Sequence, residues 1–379
     1  GAFLTGDAFN LFVFFEVLLI ASYGLMIHGG GEARTRAGIQ YIAFNLVGSS
    51  LFLFALALLY AVIGTLNMAD LATKLPTLPE GDTALLRVAA VMLILVFAIK
   101  GALVPLQFWL PGTYANAPGV VAALFAVMTK IGAYATLRVG TLIFPESLPA
   151  TGALLHDLIQ PAALVTLVVG AVGVLGAKTL PRLVAFACIA SMGTVFLAIS
   201  AFTPQTTAAA LYYMLHSTLA TAALFLVADL VIRRRAHPRL TEAAPLPQSG
   251  LIAALYMAAA VAIAGMPPLS GFIGKLLILD AFRAQAPLVW SVILVSSFLM
   301  ILGLARAGSL VFWKGSTPDP IPEERKPEPL AFAATLATLA LLAALTILAG
   351  PITDWLTATA ESLADPAAYI AANKLGAGQ

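Results

Sequence analysis

Long apolar stretches recur along this chain, each close to the length that crosses a membrane. A transmembrane helix needs about 20 consecutive apolar residues, and the chain offers about ten such segments. They lie at 8–28, 38–64, 84–110, 117–142, 158–177, 182–203, 207–232, 250–284, 288–313 and 329–350. Only 10% of the 379 residues are charged, against roughly 25% in soluble proteins. The sequence therefore predicts an all-α polytopic membrane protein embedded in a lipid bilayer.

Composition and motifs argue against several other classes of protein. The formal net charge is only +2, so no nucleic-acid partner is predicted. The single cysteine, Cys188, excludes a disulfide framework and a cysteine-built metal site, and we expect it to pack as a small apolar residue. No two of the four histidines stand at metal-ligand spacing, and no phosphate-binding loop is present. We predict no metal and no cofactor.

Four ionisable residues interrupt these apolar segments. Glu16 is the one charge within FNLFVFFEVLLIASYGLM, and Lys100, Lys130 and Lys275 lie in similar surroundings. A charge in the bilayer core is costly unless a partner, a proton or a water-filled path relieves it. One acid and three bases at such depth therefore indicate a route for protons or cations.

Two of the apolar segments carry helix breakers. Pro105 interrupts the segment 84–110, and the run GMPPLSG at 265–271 interrupts the segment 250–284. Discontinuous helices at membrane depth occur where they are buried in protein or line a polar cavity. Each break lies close to an intramembrane lysine, Lys100 or Lys275. Such a pair of broken helices is typical of inverted repeats in transporters.

The positive residues of the short loops alternate along the chain. The run RRRAHPR at 233–239 predicts one cytoplasmic loop, because such loops are enriched in Lys and Arg. Alternation outward from it places further basic residues on the cytoplasmic side: Arg34, Arg36, Lys178, Arg182, Lys314, Arg325 and Lys326. The opposite side then holds Lys74, Arg87, Arg283 and Lys374. The stretch 315–328 is predicted to be a polar cytoplasmic loop, and the tail from Pro351 an amphipathic interfacial helix.

Five motifs together resemble a known family. They are FNLFVFFEVLLIASYGLM, IKGALVPLQFWLPGTYANAP, MTKIGAYATLR, YYMLHSTLATAALF and GMPPLSGFIGKLLIL. In this order they are similar to the proton-conducting antiporter subunits shared by Mrp-type (Mnh/Pha) cation/proton antiporters and respiratory complex I, and most of all to the Mrp-type D subunit. The resemblance covers nearly the whole chain. Family members carry about four more helices before this point, so we interpret the chain as a fragment lacking its natural N-terminus.

The resemblance implies a division of the chain and a set of proton-translocating residues. Residues 1–142 would form a first antiporter repeat without its opening helix, 143–313 the second repeat, and 314–379 a polar loop, a last helix and the tail. The implied path runs through five side chains: Glu16 paired with Lys100, then Lys130, His216 and Lys275. Many relatives carry a lysine at the position of Thr221. Its absence here suggests either that water and His216 carry the middle of this path or that His216 is less central than in the relatives.

The function predicted from this resemblance is that of a secondary transporter subunit rather than an enzyme. It would move protons in exchange for a monovalent cation such as Na⁺, as part of a hetero-oligomeric Mrp-type complex in the bacterial inner (plasma) membrane. The alternative is a proton-pumping subunit of a complex I or membrane-bound hydrogenase type redox complex. A third hypothesis is a scaffold that conducts nothing and anchors an active neighbour.

Overall fold

Helices make up all the regular secondary structure of the residues described. The computed structural model describes residues 1–78, 83–235, 237–242, 247–314 and 328–374. The helices are α1 (Ala8–Ile27), α2 (Glu32–Ile63), α3 (Met68–Lys74), α4 (Thr83–Gly101), α5 (Trp109–Asn116), α6 (Gly119–Leu142), α7 (Leu154–Gly176), α8 (Leu180–Ile199), α9 (Pro204–Arg235), α10 (Ser249–Ala264), α11 (Ser270–Ala281), α12 (Ala286–Gly308), α13 (Pro329–Ile347), α14 (Ala349–Ala364) and α15 (Ala367–Asn373). The predicted loop 315–328 lies, apart from its last residue, outside the described residues.

The predicted membrane-spanning architecture is confirmed. Across the described residues, nine helical stretches are long and apolar enough to cross a membrane, and the shorter apolar helix α10 adds a further segment. Both predicted discontinuous helices are present. The first is divided into α4 and α5 and the second into α10 and α11, so that Lys100 lies at the end of α4 and Lys275 in the middle of α11.

Backbone and side-chain contacts join several of the connecting loops. Thr179 and Arg239 form an isolated β-bridge. The Arg34 guanidinium donates to the Asn116 carbonyl at the end of α5, and the Arg87 guanidinium donates to the Ala150 carbonyl in the loop before α7. The distribution of basic residues between the two sides of a membrane stays a prediction.

The centre of the bundle is formed by α8 and α9. In α8, 89% of an 18-residue apolar stretch is buried inside the protein. The helix α9 packs against six others: α6, α8, α10, α11, α13 and α14. Small residues bring α7 and α8 close together, because a Cβ added at Gly193 would lie only 2.8 Å from the Leu167 Cα. This packing surrounds α9, which carries His216, with the helices that carry Lys130 and Lys275.

The described part of the tail, 349–374, is mostly helical. The helix α14 packs against α9 and buries Leu356, and α15 packs against α3. The Tyr369 ring of α15 lies 4.1 Å from the Arg138 guanidinium of α6. The tail therefore folds back across one end of the bundle, a packing that its amphipathic pattern did not specify. The predicted boundaries at 142 and 313 stay predictions.

Candidate proton-binding residues and the helix breaks

The five predicted residues lie on five different helices, α1, α4, α6, α9 and α11. Lys100 is 7% exposed, Lys130 2%, His216 0% and Lys275 6%. Glu16 is half-buried. None of the three lysines lies within 4.0 Å of a carboxylate among the described residues, where the ion pairs all involve other side chains. Four basic groups are therefore held inside the described part of the protein without direct counter-ions.

At the first helix break, Lys100 is held by α2. Its Nζ donates to Asn45 Oδ1 at 2.9 Å, and the Asn45 amide donates in turn to the Tyr41 carbonyl at 2.8 Å. Beside the break, the Ile99 carbonyl accepts from the Ala102 N–H at 3.2 Å and from the Trp109 indole N–H at 3.0 Å. The interrupted backbone is thus satisfied by a backbone amide within the break and by a side chain beyond it, as buried irregular backbone requires.

Glu16 makes its contact with the same helix α2. The Ser49 hydroxyl donates to the Glu16 carboxylate, and Ser49 stands one turn after Asn45 on α2. Glu16 therefore does not touch Lys100 directly, although the two lie within electrostatic range of each other. A pair of polar α2 side chains separates the acid from the base, and the functional pairing of Glu16 with Lys100 stays a prediction.

A small cavity adjoins the Lys100 side chain. Its volume is about 20 Å³ and its lining includes Lys100, Asn45, Tyr41 and Thr129. Space of roughly 10–15 Å³ with polar partners is enough for one water molecule. The lining also includes Met128, Thr129 and Ile131 of α6, so the cavity lies between Lys100 and the helix that carries Lys130.

Lys130 lies in the middle of the bundle with no hydrogen-bond partner for Nζ among the described residues. It is close enough to Cys188 of α8 to interact electrostatically, and the Cys188 thiol lies beside the hydroxyls of Thr129 and Thr221. Cys188 is fully buried, as expected of a small apolar residue. Its polar neighbours, however, place it against the predicted path.

At the second helix break, His216 of α9 contacts the start of α11, and Lys275 of α11 reaches back to the end of α10. The His216 Nδ1 lies 2.9 Å from the Ser270 Oγ at the start of α11. The Lys275 Nζ donates to the Ala264 carbonyl at the end of α10, at 2.7 Å, and to the Ser297 hydroxyl of α12, at 2.8 Å. A pocket of about 300 Å³ opens beside Lys275 and Ser297, lined otherwise by apolar side chains.

The His216 ring at the second break interacts with buried charges on two other helices. It lies within electrostatic range of both Lys275 and Lys130. Several buried polar atoms on α6, α8 and α9 have no hydrogen-bond partner among the described residues: Lys130 Nζ, Ser191 Oγ, His216 Nε2, Ser217 Oγ and Thr221 Oγ1. Buried polar groups are almost always satisfied by protein or by ordered water. These atoms therefore favour bound water on the three helices.

No sequence signal distinguishes several of the contacting side chains: Asn45, Ser49, Trp109, Ser270 and Ser297. Each is a polar or amphipathic residue within an apolar run, and most residues of that kind simply bond to their own or a neighbouring helix. Asp229 lies near the end of α9 and forms an ion pair with Arg233 at 2.7 Å.

The close approach of α11 to His216 leads to a testable prediction. A Cβ added at Gly271 would lie 2.7 Å from His216 Nε2 and would also contact the Ala262 carbonyl. We expect Gly271→Ala to displace the imidazole and to lower transport roughly tenfold or more, since a displacement of about 1 Å can cost far more than that. The measurement is dye-reported exchange in vesicles.

The matched control for that variant is Gly176→Ala, where an added Cβ meets no neighbour among the described residues. Equal transport in Gly271→Ala and Gly176→Ala would show that the spacing between α11 and His216 does not matter.

No group of three or more His, Cys, Asp or Glu side chains in the described parts of the chain could hold a metal ion. What the arrangement offers is chemistry of proton binding. Three amines and an imidazole can each gain or lose a proton, and the hydroxyls and the amide beside them can donate or accept hydrogen bonds.

Comparisons with known proteins agree with this description. Residues 5–301 match the family model described as NADH:quinone oxidoreductase/Mrp antiporter, transmembrane. The chain is 38% identical to the D subunit of the Na(+)/H(+) antiporter of Bacillus subtilis, over 98% of its own length and 75% of the relative's. It is 35% identical to the D subunit of a probable K(+)/H(+) antiporter of Rhizobium meliloti, over 97% and 73%.

A solved structure shares the fold. A chain in the structure of the Mrp complex from Dietzia sp. DQ12-45-1b matches with a TM-score of 0.86 at 29% identity, over 98% of this chain and 77% of that one. The match of a family model over most of the sequence, together with the membrane-spanning helices of the fold, leads to one conclusion. The chain is a multi-pass membrane protein that belongs to the NADH:quinone oxidoreductase/Mrp antiporter family.

Proposed function

We propose that this chain is the proton-translocating subunit of a multi-subunit monovalent cation/proton antiporter in the bacterial plasma membrane. It works as a secondary transporter with the other Mrp-type subunits as partners, and Na⁺ is the cation by analogy with the Bacillus subtilis relative. The Rhizobium meliloti relative, which is named as part of a probable K(+)/H(+) antiporter, makes K⁺ the competing cation.

One observation carries this proposal. Lys100, Lys130, His216 and Lys275 are nearly inaccessible to solvent, yet none has a carboxylate in contact among the described residues. Burying an unpaired charge costs several kcal/mol, and a chain selected only for stable packing would place apolar residues at these positions. Basic groups that can release their protons escape that cost, so proton binding and release is the function this arrangement favours.

The path begins at the first break and ends at the second. Glu16, held by Ser49, influences the proton affinity of Lys100 across Asn45. A change in the protonation of Lys130 acts on His216, which interacts electrostatically with both Lys130 and Lys275. A change of charge at one group alters the proton affinity of the next, so protonation advances as a series of local shifts. The membrane potential supplies about 2.3 kcal/mol per charge per 100 mV.

The second candidate function is proton pumping within a redox complex, because the matched family also includes NADH:quinone oxidoreductases. The Bacillus subtilis and Rhizobium meliloti relatives favour the antiporter. Purification of the native complex separates the two: small Mrp-type subunits support the antiporter, and iron–sulfur or flavin subunits support the redox complex.

The single cysteine provides a direct test for water along the path. Cys188 is fully buried with the hydroxyls of Thr129 and Thr221 beside its thiol. A small charged methanethiosulfonate reacts only with a thiolate that water can reach, so labelling of Cys188 in the intact complex is the result expected of a hydrated path. Labelling of this chain is measured by mass spectrometry after exposure of vesicles to the reagent.

The control for that labelling is Ala171→Cys in a Cys188→Ser background, since Ala171 is equally buried and its helix α7 carries none of the predicted path residues. Rapid labelling at 188 with none at 171 supports a hydrated path. Equal inertness at both positions counts against water at Cys188.

A further inference from the structure

The two nitrogens of the His216 ring face different surroundings at the second helix break. Nδ1 lies 2.9 Å from the Ser270 Oγ, a hydroxyl that can both donate and accept a hydrogen bond. Both side chains are completely buried, with exposures of 0%. Ser270 is the first residue of α11, so the resumption of the broken helix fixes where this hydroxyl lies.

Nε2 faces the backbone instead. A Cβ built on Gly271 would lie 2.7 Å from Nε2 and would contact the Ala262 carbonyl oxygen as well. The nitrogen and that oxygen therefore lie on the same side of Gly271, near each other. Nε2 makes no hydrogen bond of ordinary geometry to a described residue, but the Ala262 carbonyl is close enough to interact with the ring as a backbone hydrogen-bond acceptor.

These surroundings decide which ring nitrogen of a neutral His216 carries the single N–H hydrogen. A carbonyl oxygen carries only lone pairs, so the nitrogen that faces it carries the hydrogen. Nε2 is then the N–H of the neutral ring, and Nδ1 holds the lone pair. The Ser270 hydroxyl completes this arrangement by donating its own hydrogen to Nδ1.

We propose that Ser270 sets the tautomer of His216 and is the group through which that histidine gains and loses its proton. This inference rests on the proposed function. On charging, the Ser270 O–H bond breaks as the Nδ1–H bond forms, and the serine oxygen takes a replacement proton from a hydronium ion in the path. The imidazolium then donates from Nδ1 to the neutral hydroxyl. Discharge reverses each step, so that serine is unchanged after a cycle.

A consequence for transport is that His216 acts as a charge switch. A side chain that relays protons in one direction receives on one nitrogen and releases from the other. The Ala262 carbonyl near Nε2 can accept a hydrogen bond but has no proton of its own to pass on. The charges that respond to His216 are Lys275 on α11 and Lys130 on α6, and the neighbouring Tyr213 ring lies 5.5 Å away on α9 itself.

Nitrogen NMR of the intact complex tests the tautomer directly. With ¹⁵N-labelled histidine, the resonances that disappear in His216→Gln belong to this ring. We expect Nε2 to resonate as a protonated nitrogen and Nδ1 as an unprotonated, hydrogen-bonded one. A neutral ring with its hydrogen on Nδ1 overturns the proposal whether or not any variant of Ser270 folds.

Variants of Ser270 test its part in transport. Ser270→Ala should lower antiport roughly tenfold or more, the effect of leaving one buried polar group unpaired, and should broaden or shift the Nδ1 resonance. Ser270→Thr keeps a hydroxyl and should restore most of the exchange. Ser200→Ala is the matched control, because its buried hydroxyl bonds to the Leu197 carbonyl of the preceding helix α8.

The outcomes separate this inference from the proposed function. Full exchange in Ser270→Ala alongside loss of exchange in Lys100→Ala overturns the role of Ser270 and leaves the antiporter proposal standing. Failure of Ser270→Thr to restore exchange lost in Ser270→Ala also counts against it. Full exchange in both Ser270→Ala and Lys100→Ala removes the proposed function as well.

Discussion

Lys100→Ala is expected to abolish antiport while the complex still assembles. The Nζ of Lys100 lies at the first helix break and bonds to Asn45 of α2. Without it the path loses its first proton-binding group, an effect of roughly a hundredfold or more when an essential acid–base group is removed. Dye-reported cation-dependent proton exchange in everted vesicles measures the loss, and the amount of assembled complex is followed in parallel.

The matched control for Lys100→Ala is Lys74→Ala. The Lys74 side chain is 51% exposed and pairs with Asp70 on its own helix, so its removal should change neither exchange nor assembly. Glu16→Gln completes the series, since glutamine can still accept from Ser49 but carries no charge. We expect Glu16→Gln to reduce exchange strongly. Wild-type exchange in both Lys100→Ala and Glu16→Gln is the result that defeats the proposal.

Lys130→Met should stabilise the protein and stop transport. The Lys130 Nζ is buried without a hydrogen-bond partner among the described residues. Replacing a buried charge with an apolar side chain of similar volume is often neutral or stabilising, by about 1–4 kcal/mol. Methionine fits such a space because its unbranched side chain is flexible. Thermal unfolding of the purified complex and vesicle exchange, measured together, give the two opposite effects.

This pair of measurements also tests the scaffold hypothesis, which predicts that neutralising buried charges lowers stability and leaves flux intact. Thr136→Val is the control, because the Thr136 hydroxyl on the same helix is satisfied by the Gly132 carbonyl. A destabilised Lys130→Met complex with normal exchange would favour the scaffold and contradict a role for Lys130 in proton movement.

The membrane spans could be predicted from the sequence because each depends on a local property. A run of apolar residues long enough to cross the bilayer must satisfy its own backbone hydrogen bonds as a helix. Pro105 and Pro267–Pro268 interrupt that pattern because proline lacks the N–H donor. The predicted segments therefore match the long helices to within a few residues and contain both breaks, although most of α5 lies beyond the predicted end at 110. Glu16 and the three lysines could be identified from the sequence for the same reason, since each is a charged residue within an apolar run.

The contacts of those charges could not be predicted in the same way. The resemblance suggested a Glu16–Lys100 pair, whereas Ser49 and Asn45 of α2 receive the two side chains separately. Cys188 fits the prediction of a small buried residue, yet its surroundings are polar. A serine in an apolar helix carries no local sign of its partner, so Ser270 and Ser297 were invisible until α9, α11 and α12 were packed together.

The sequence by itself determined that this protein is a bundle of membrane-spanning helices with two interruptions and a few ionisable groups, because hydrophobic length and backbone satisfaction act within a single segment. Only the tertiary structure decided which polar groups meet. Such contacts join residues far apart in the chain, 55 positions in the case of Lys100 and Asn45. They depend on how helices pack, which small residues such as Gly193 and Gly271 control through close approach.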